Sequence, residues 1–384
     1  MLSIIYNKTF RAIFYQFIIV TLLVIGLWFM FTNLFHNIEA KGIKTGFDFL
    51  TERAGFNISE SPIAYSNNST FFDSFLVGIS NTLYVSVVAI IFSTIIGVII
   101  GIARLSKIFL VSKFALVYIE TFRNIPLLLQ ILFWYNVVLV ALPSPRNSIQ
   151  LGADMILNNR GFSVPRPIMG EGFNWVILSF FVAIAIIIYI SKIAKRRFEE
   201  TGKSIFLLPW NIIILIAIPS TIFLILGSPL SFDSPKLMGF NYEGGMVYSP
   251  EFLALAFSLS IYTATFTAEA VRSGIEAVYI GQKEAAAALG LNKYQSLKLV
   301  VLPQAIRVAF PPIISQFLNV VKNSSLATAI GYPELVTVFA GTALNQTGQA
   351  LEIIMMTMSV YLFISLIISA VLNYVNKKMK IKGK

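Results

Sequence analysis

The 384-residue chain has no cysteine, one histidine and few charges, with only 12% of its residues Asp, Glu, Lys or Arg. Without cysteine there is no disulfide, no thiolate metal site and no cysteine nucleophile. The lone histidine, His36, follows the first long apolar run, where an interfacial position explains it better than metal ligation. Soluble domains carry about a quarter charged residues. A chain well below that share, with 57% hydrophobic residues, is an integral membrane protein. No stretch alternates in the manner of a transmembrane barrel strand, which leaves an all-α bundle.

Apolar runs of about 20 residues mark the spans. They fall near Ile13–Leu34, Leu76–Ala103, Lys113–Leu142, Asn174–Ser191, Ile205–Leu226, Phe252–Ala270, Val308–Ile330 and Glu352–Tyr374, which predicts eight transmembrane helices. The first run is long enough to span and lacks a small-residue cleavage site, so it reads as an anchor rather than a signal peptide. Most of the 29 basic residues lie in alternate segments: Lys8 and Arg11, Arg104 to Lys113, Lys192 to Lys203, Arg272 to Arg307, and the tail Lys377 to Lys384. By the positive-inside rule those segments and both termini are cytoplasmic. The net charge of +11 is therefore a topology signal that meets anionic lipid headgroups, and it does not point to nucleic acid.

The same alternation places Gly281–Ala305 in the cytoplasm, between spans six and seven. Glu276 to Leu289 favours helix, and Gly290 stands where a left-handed cap would end it. Asn292 with Gln295 three residues on forms a capping-box pattern for a second helix, which Pro303 would end or kink. Ala285 to Ala288 offer a small-residue surface, better suited to docking than to a core.

This segment resembles the EAA loop of ABC-importer permeases, whose pattern is E-A-A, three residues, G, nine residues, I-x-L-P. Glu284, Ala285, Ala286, Gly290, Leu302 and Pro303 match it, and Val300 replaces the isoleucine. Further segments resemble the polar amino-acid permeases: Glu120-Thr-Phe-Arg123-Asn-Ile-Pro126-Leu-Leu, Glu269-Ala-Val-Arg272, Gly281-Gln282-Lys283, Pro303-Gln-Ala305 and Lys322-Asn323-Ser324-Ser325-Leu326. The extra length and Ile330-Gly-Tyr-Pro-Glu-Leu335 resemble the broad-specificity L-amino-acid branch, whose permeases pair with a second, similar chain.

The resemblance implies a type I permease core with a cytoplasmic coupling helix at Gly281–Gly290 that docks on a separate ATPase subunit, which binds ATP and Mg. It implies a periplasmic amino-acid-binding protein and the bacterial inner membrane. Residues 1–70 would be an added anchor and periplasmic loop, 71–376 the permease domain with inserted helices near 174–226, and 377–384 a basic tail.

One stretch invites an ATPase reading: Arg197 to Ser204 ends in Gly-Lys-Ser. The phosphate-binding pattern wants glycine at position 197, and two close spans leave no room for its strand and helix. No catalytic or metal-ligating constellation occurs elsewhere, so the chain is expected to have no enzymatic activity and no cofactor of its own.

Charges inside spans are costly and default to function. Ser315, Gln316, Asn319, Lys322 and Asn323 share one face of the seventh helix. Lys322 suits a substrate carboxylate, with Asn323, Ser324 and Ser325 able to hydrogen-bond a polar ligand; a snorkelling or interhelical lysine is the structural alternative. Glu120 and Arg123, three apart beside Pro126, are expected to pair with each other or across helices and help fix a bend, a direct substrate role being the alternative, with Gln130, Tyr135 and Asn136 further along the same path. Glu269 and Arg272, next to the EAA loop, read as transmission residues or as a plain interfacial pair. The polar loop Phe35–Phe72 offers a surface to a binding protein, and Ala141–Phe173 and Gly227–Pro250 read as connectors. An ion-coupled transporter using Glu120, Arg123, Glu269 and Lys322 is the rival reading, and a membrane signalling scaffold a weaker one.

Overall fold

A computed structural model describes residues 8–42, 44–202 and 207–379. Seven of its helices are long and apolar enough to cross a bilayer, and a helix pair bent by 101° makes an eighth if it is one span. The long helices are α1 (Lys8–Lys41), α2 (Phe71–Arg104), α5 (Phe173–Thr201), α6 (Leu208–Ile225), α7 (Pro250–Glu276), α10 (Leu302–Asn323) and α12 (Ala350–Met379). The bent pair begins with α3 (Phe109–Asn124) and α4 (Leu127–Leu132). Lys203 and Ser204, the end of the Gly-Lys-Ser stretch, lie outside the described residues, as do Lys380 to Lys384.

The third span is not the continuous helix that its hydropathy predicts. Ile125 is extended, with φ −84° and ψ 127°, because a residue before proline is pushed out of the helical region. The carbonyls freed at this break do not face lipid bare. Gln130 Nε2 donates to those of Phe122 at 2.8 Å and Ile125 at 2.9 Å.

The chain forms two units, one of residues 1–132 with 255–384 and one of residues 133–254. In the first, α7 is the central helix, with Leu255, Leu259, Ala264 and Ala268 at zero exposure. Gly97 and Gly101, four apart on α2, press on its backbone: a Cβ at Gly97 would lie 2.5 Å from Thr267 Cβ, and one at Gly101 2.7 Å from the Ala268 carbonyl. Helices in lipid associate by close packing of small residues, since lipid tails supply no hydrophobic drive. Tyr118 Oη donates to the Ile261 carbonyl at 2.8 Å and ties α3 to the same helix.

The polar segment Phe35–Phe72 contributes to this core as well as to the surface. Phe49 and Ala54 are buried with Phe71, Phe75, Leu335, Phe339 and Ile353, and Phe75 meets Phe339 at 4.8 Å between ring centroids. Ile58 packs on Val77 and Val338. Thr70 and Asp73 then close a capping box that starts α2.

In the second unit α5 and α6 pack along each other. The two connectors carry short antiparallel strands that hydropathy does not reveal. β1 (Ile149–Gly152), β2 (Met155–Asn158), β3 (Gly161–Val164) and β8 (Met246–Tyr248) form one sheet in that order. β4 (Arg166–Met169) pairs with β5 (Leu230–Asp233), and β6 (Lys236–Met238) with β7 (Asn241–Glu243). The β3–β8 register puts Phe162 opposite Tyr248. Gly161, at φ +123°, is required there, because a Cβ would fall 2.1 Å from the Tyr248 carbonyl oxygen.

Gly97→Ala and Gly101→Ala should each lower the melting temperature of the detergent-solubilised chain, overpacking costing about 1–3 kcal/mol. Gly26→Ala on α1, where a Cβ meets nothing within 4 Å, should leave it unchanged.

Candidate functional site

The EAA segment folds as its local chemistry dictates. α8 (Ile280–Ala288) ends at Leu289 and Gly290, and Gly290 takes the left-handed conformation at φ +74°. The Gly290 N–H donates to Ala287 O at 2.9 Å and the Leu291 N–H to Ala286 O at 3.1 Å. This double closure is a Schellman motif, which satisfies carbonyls that a helix end leaves open. Asn292 Oδ1 then accepts from the Gln295 N–H at 2.8 Å, and Gln295 Oε1 from the Asn292 N–H at 2.9 Å, so the capping box starts α9 (Lys293–Ser296).

Pro303 does not end the second helix. Lys293–Ile330 runs on as one apolar helix, with a π-helical stretch at Leu297–Val301 immediately before the proline. The shift in hydrogen-bond register there accommodates a residue without an N–H.

Both flanks of the loop are fixed to each other. Val278 packs on Val301 and Ala305, and a Cβ at Gly274 would sit 2.7 Å from the Ala305 carbonyl. Gln304 Nε2 reaches Gln282 Oε1 at 3.4 Å. Of the four alanines only Ala286 is buried; Lys283, Glu284, Ala285, Ala287 and Ala288 are exposed. Tyr279 (76%), Ile280 (64%) and Leu289 (81%) extend the same bare surface, an apolar display on an otherwise capped and anchored turn. A Cβ at Gly281 would lie 2.8 Å from the ring of exposed Tyr279, a side chain with room to move aside.

One helical turn before the loop, the Arg272 guanidinium donates to Glu269 and to Glu276, a three-residue ion cluster along α7. Of the two pairings expected for it, Arg123 makes the one across helices rather than the one with Glu120. Its guanidinium lies over the Phe266 ring, 5.2 Å from the centroid, within electrostatic reach of Glu269, as is Arg104. Glu120 instead accepts from Asn124 Nδ2 at 3.3 Å. The reason is the break at Pro126: α3 stops at Asn124, and its last turn faces α7. Two groups of residues read separately in the sequence thus meet as one charged cluster.

On α10 and the 3-10 turn that follows it, Asn319 Nδ2 donates to Gln316 Oε1 at 3.1 Å, and exposed Lys322 makes no ion pair among the described residues. Ser324 and Ser325 give their protons to the carbonyls of Val321 and Lys322, both at 2.7 Å. Their oxygens keep acceptor capacity only. α4, which carries Gln130, packs against the 3-10 segment Ser324–Ile330. Gln130 Oε1 is a buried acceptor with no hydrogen-bond partner among the described residues. Tyr135, in the other unit, donates to Glu251 at 2.8 Å.

The profile of the family described as binding-protein-dependent transport system inner membrane component matches residues 205–381, which include the whole loop. The general L-amino acid transport system permease protein AapQ of Rhizobium johnstonii is 46% identical over 377 residues, covering 98% of this chain and 94% of that protein. The chain belongs to the amino-acid ABC-transporter permeases. A second such permease, the glutamate/glutamine/aspartate/asparagine transport system protein BztB of Rhodobacter capsulatus, is 38% identical over 409 residues, covering 99% of this chain and 96% of that protein. The relationship sets aside the ion-coupled alternative and makes the chain a multi-span permease of the bacterial inner membrane, of a class that works with ATPase and binding-protein partners.

Sequence reading of this permease assigned no individual role to Asn81, Thr82 or Tyr361, and Glu334 entered only as part of the Ile330–Leu335 resemblance. Asn81 Nδ2 donates to the carbonyls of Glu60 and Pro333, both at 2.8 Å, and Thr82 Oγ1 accepts from the Leu335 N–H at 3.1 Å. An Asn-Thr pair within an apolar span and an acid beside Gly-Tyr-Pro were the available signals. Gln130→Leu should leave two carbonyls unpaired at the span break, each costing about 1–3 kcal/mol. Faster hydrogen exchange over 122–130, with α7 unaffected, is the measurement that checks it.

Proposed function

We propose that this permease is one of two similar but different permease chains in an importer that carries polar L-amino acids inward, driven by ATP hydrolysis in separate subunits. What carries the reading is the capped, doubly anchored helix Ile280–Ala288 with its bare alanine face. A helix held on both flanks moves as a body with α7 and α10, so force applied to its exposed face reaches the bundle. A groove of the ATPase subunit takes that face, as the EAA resemblance implies. ATP and Mg are bound there; this chain supplies path and linkage, and no covalent chemistry.

The distribution of lysine and arginine supports cytoplasmic termini and puts the loop on the ATPase side. A periplasmic binding protein delivers substrate to the opposite face. The names of AapQ and BztB support amino acids as cargo. Every such substrate carries a carboxylate and an ammonium group, for which unpaired Lys322 and exposed Glu120 offer complements. Asn319, Asn323 and the two serines line the same stretch.

Gly290→Val puts a β-branched residue at φ +74°, and Glu284→Ala removes the acid of the loop. Both should leave membrane insertion intact and cut uptake into proteoliposomes by about tenfold or more, a barrier change of about 1.4 kcal/mol. Uptake and ATPase stimulation at unaltered rates in both variants would overturn the coupling role.

A further inference from the structure

The turn Gly331–Leu335 links the substrate-path segment to the π-helical stretch Val336–Ala343, and Tyr332, Glu334 and Leu335 have zero exposure. Glu334 is a carboxylate with donors from three parts of the fold. It accepts the backbone N–H groups of Val336 at 2.9 Å and Thr337 at 2.8 Å. It also accepts the hydroxyls of Thr337 at 2.9 Å, Thr328 at 3.2 Å and, from α12, Tyr361 at 3.0 Å. A carboxylate is acceptor-only, with about four lone-pair sites for these donors, and the Thr328 and Thr337 hydroxyls can turn to other acceptors. An amide would turn its NH2 toward at least one donor.

This knot leads to the path. Thr328 Oγ1 also lies 3.0 Å from the Ser325 carbonyl, and Ser325 Oγ donates to the Lys322 carbonyl. The one Thr328 proton can go to Glu334 or to the Ser325 carbonyl. When it goes to Ser325, the Thr337 hydroxyl donates to Thr328 Oγ1 at 3.1 Å and the Thr337 N–H to Glu334. Hydrogen bonds then join Glu334 through Thr337 and Thr328 to Ser325 and the last turn of α10. A fold needing only stability at this point could use apolar packing, which is often as stable as a buried charge. An ionisable group kept wholly buried just past the end of the seventh span calls for a further role.

We propose that Glu334 is a positioning residue for the substrate path: acting through Thr328 and Ser325, it fixes where Lys322 and Asn323 stand and so which amino acids pass best. This rests on reading Lys322–Ser325 as the path. A purely structural Glu334 would alter the amount of active importer and slow all substrates alike. A positioning Glu334 changes their order, since small displacements of contact groups act differently on different side chains.

The test is transport by the complete importer in proteoliposomes at saturating binding protein, comparing L-glutamate, L-glutamine and L-arginine. Thr328→Val and Glu334→Gln should change the ratios between these rates by about threefold or more, and Thr328→Ser should keep them. Thr328→Val decides the matter if Glu334→Gln does not assemble. Equal slowing of all three substrates in Thr328→Val would overturn the proposal. Lys322→Gln tests the path reading separately. Ratios that shift with Lys322→Gln but not with Thr328→Val remove only the role of Glu334. Ratios untouched by Lys322→Gln remove the path reading, and this proposal with it.

Discussion

A peptide group in a bilayer has no water to fall back on, and this permease breaks one helix inside its third span and makes a buried turn just past the end of its seventh. Non-helical backbone at such depth survives only when protein groups take over the lost hydrogen bonds. At Ile125-Pro126 the replacement is one amide, Gln130, which serves two carbonyls. At Gly331–Leu335 it is a set: Asn81 for the Pro333 carbonyl, Thr82 for the Leu335 N–H, and Glu334 for the N–H groups of Val336 and Thr337. The positions of Lys322, Asn323 and Gln130 follow from these two repairs. The breaks hold because polar side chains close them.

The coupling loop solves a different problem with ordinary soluble-protein devices. A Schellman closure at Gly290 and a capping box at Asn292 fix the turn from within. Val278, Gly274, Val301 and Ala305 fix it to the bundle. What remains outside mixes bare alanines with Tyr279, Ile280 and Leu289 and the charges of Lys283 and Glu284. Rigidity on the inner side and bareness on the outer side are what a transmitting element needs.

Much of this was legible in the residues. Hydropathy gives the spans because length and apolarity are local properties, and the caps at Gly290 and Asn292 are legible because their chemistry acts within four residues. The proline at 126 announces a break, yet a long apolar run reads straight through it. What escaped depends on distance along the chain. Asn81 and Pro333 are 252 residues apart, and Glu334 and Tyr361 are 27 apart, with no periodicity to link them. The i, i+3 spacing of Glu120 and Arg123 is visible in the sequence, whereas the cross-helix partner Phe266 is visible only once α3 and α7 are side by side. The short strands stayed hidden because three or four residues in a loop carry too little pattern to register.

The account stands on the exposed face of Ile280–Ala288 being the seat of an ATPase subunit. Because the chain has no cysteine, a single one introduced as Ala287→Cys is the only thiol it offers. Cross-linking from that thiol in native membranes, followed by mass spectrometry of the product, is the most direct measurement. The account predicts a covalent adduct with an ABC ATPase chain, suppressed by Gly290→Val on the same background. Adducts with lipid, with other membrane proteins, or with no ATPase at all would contradict it.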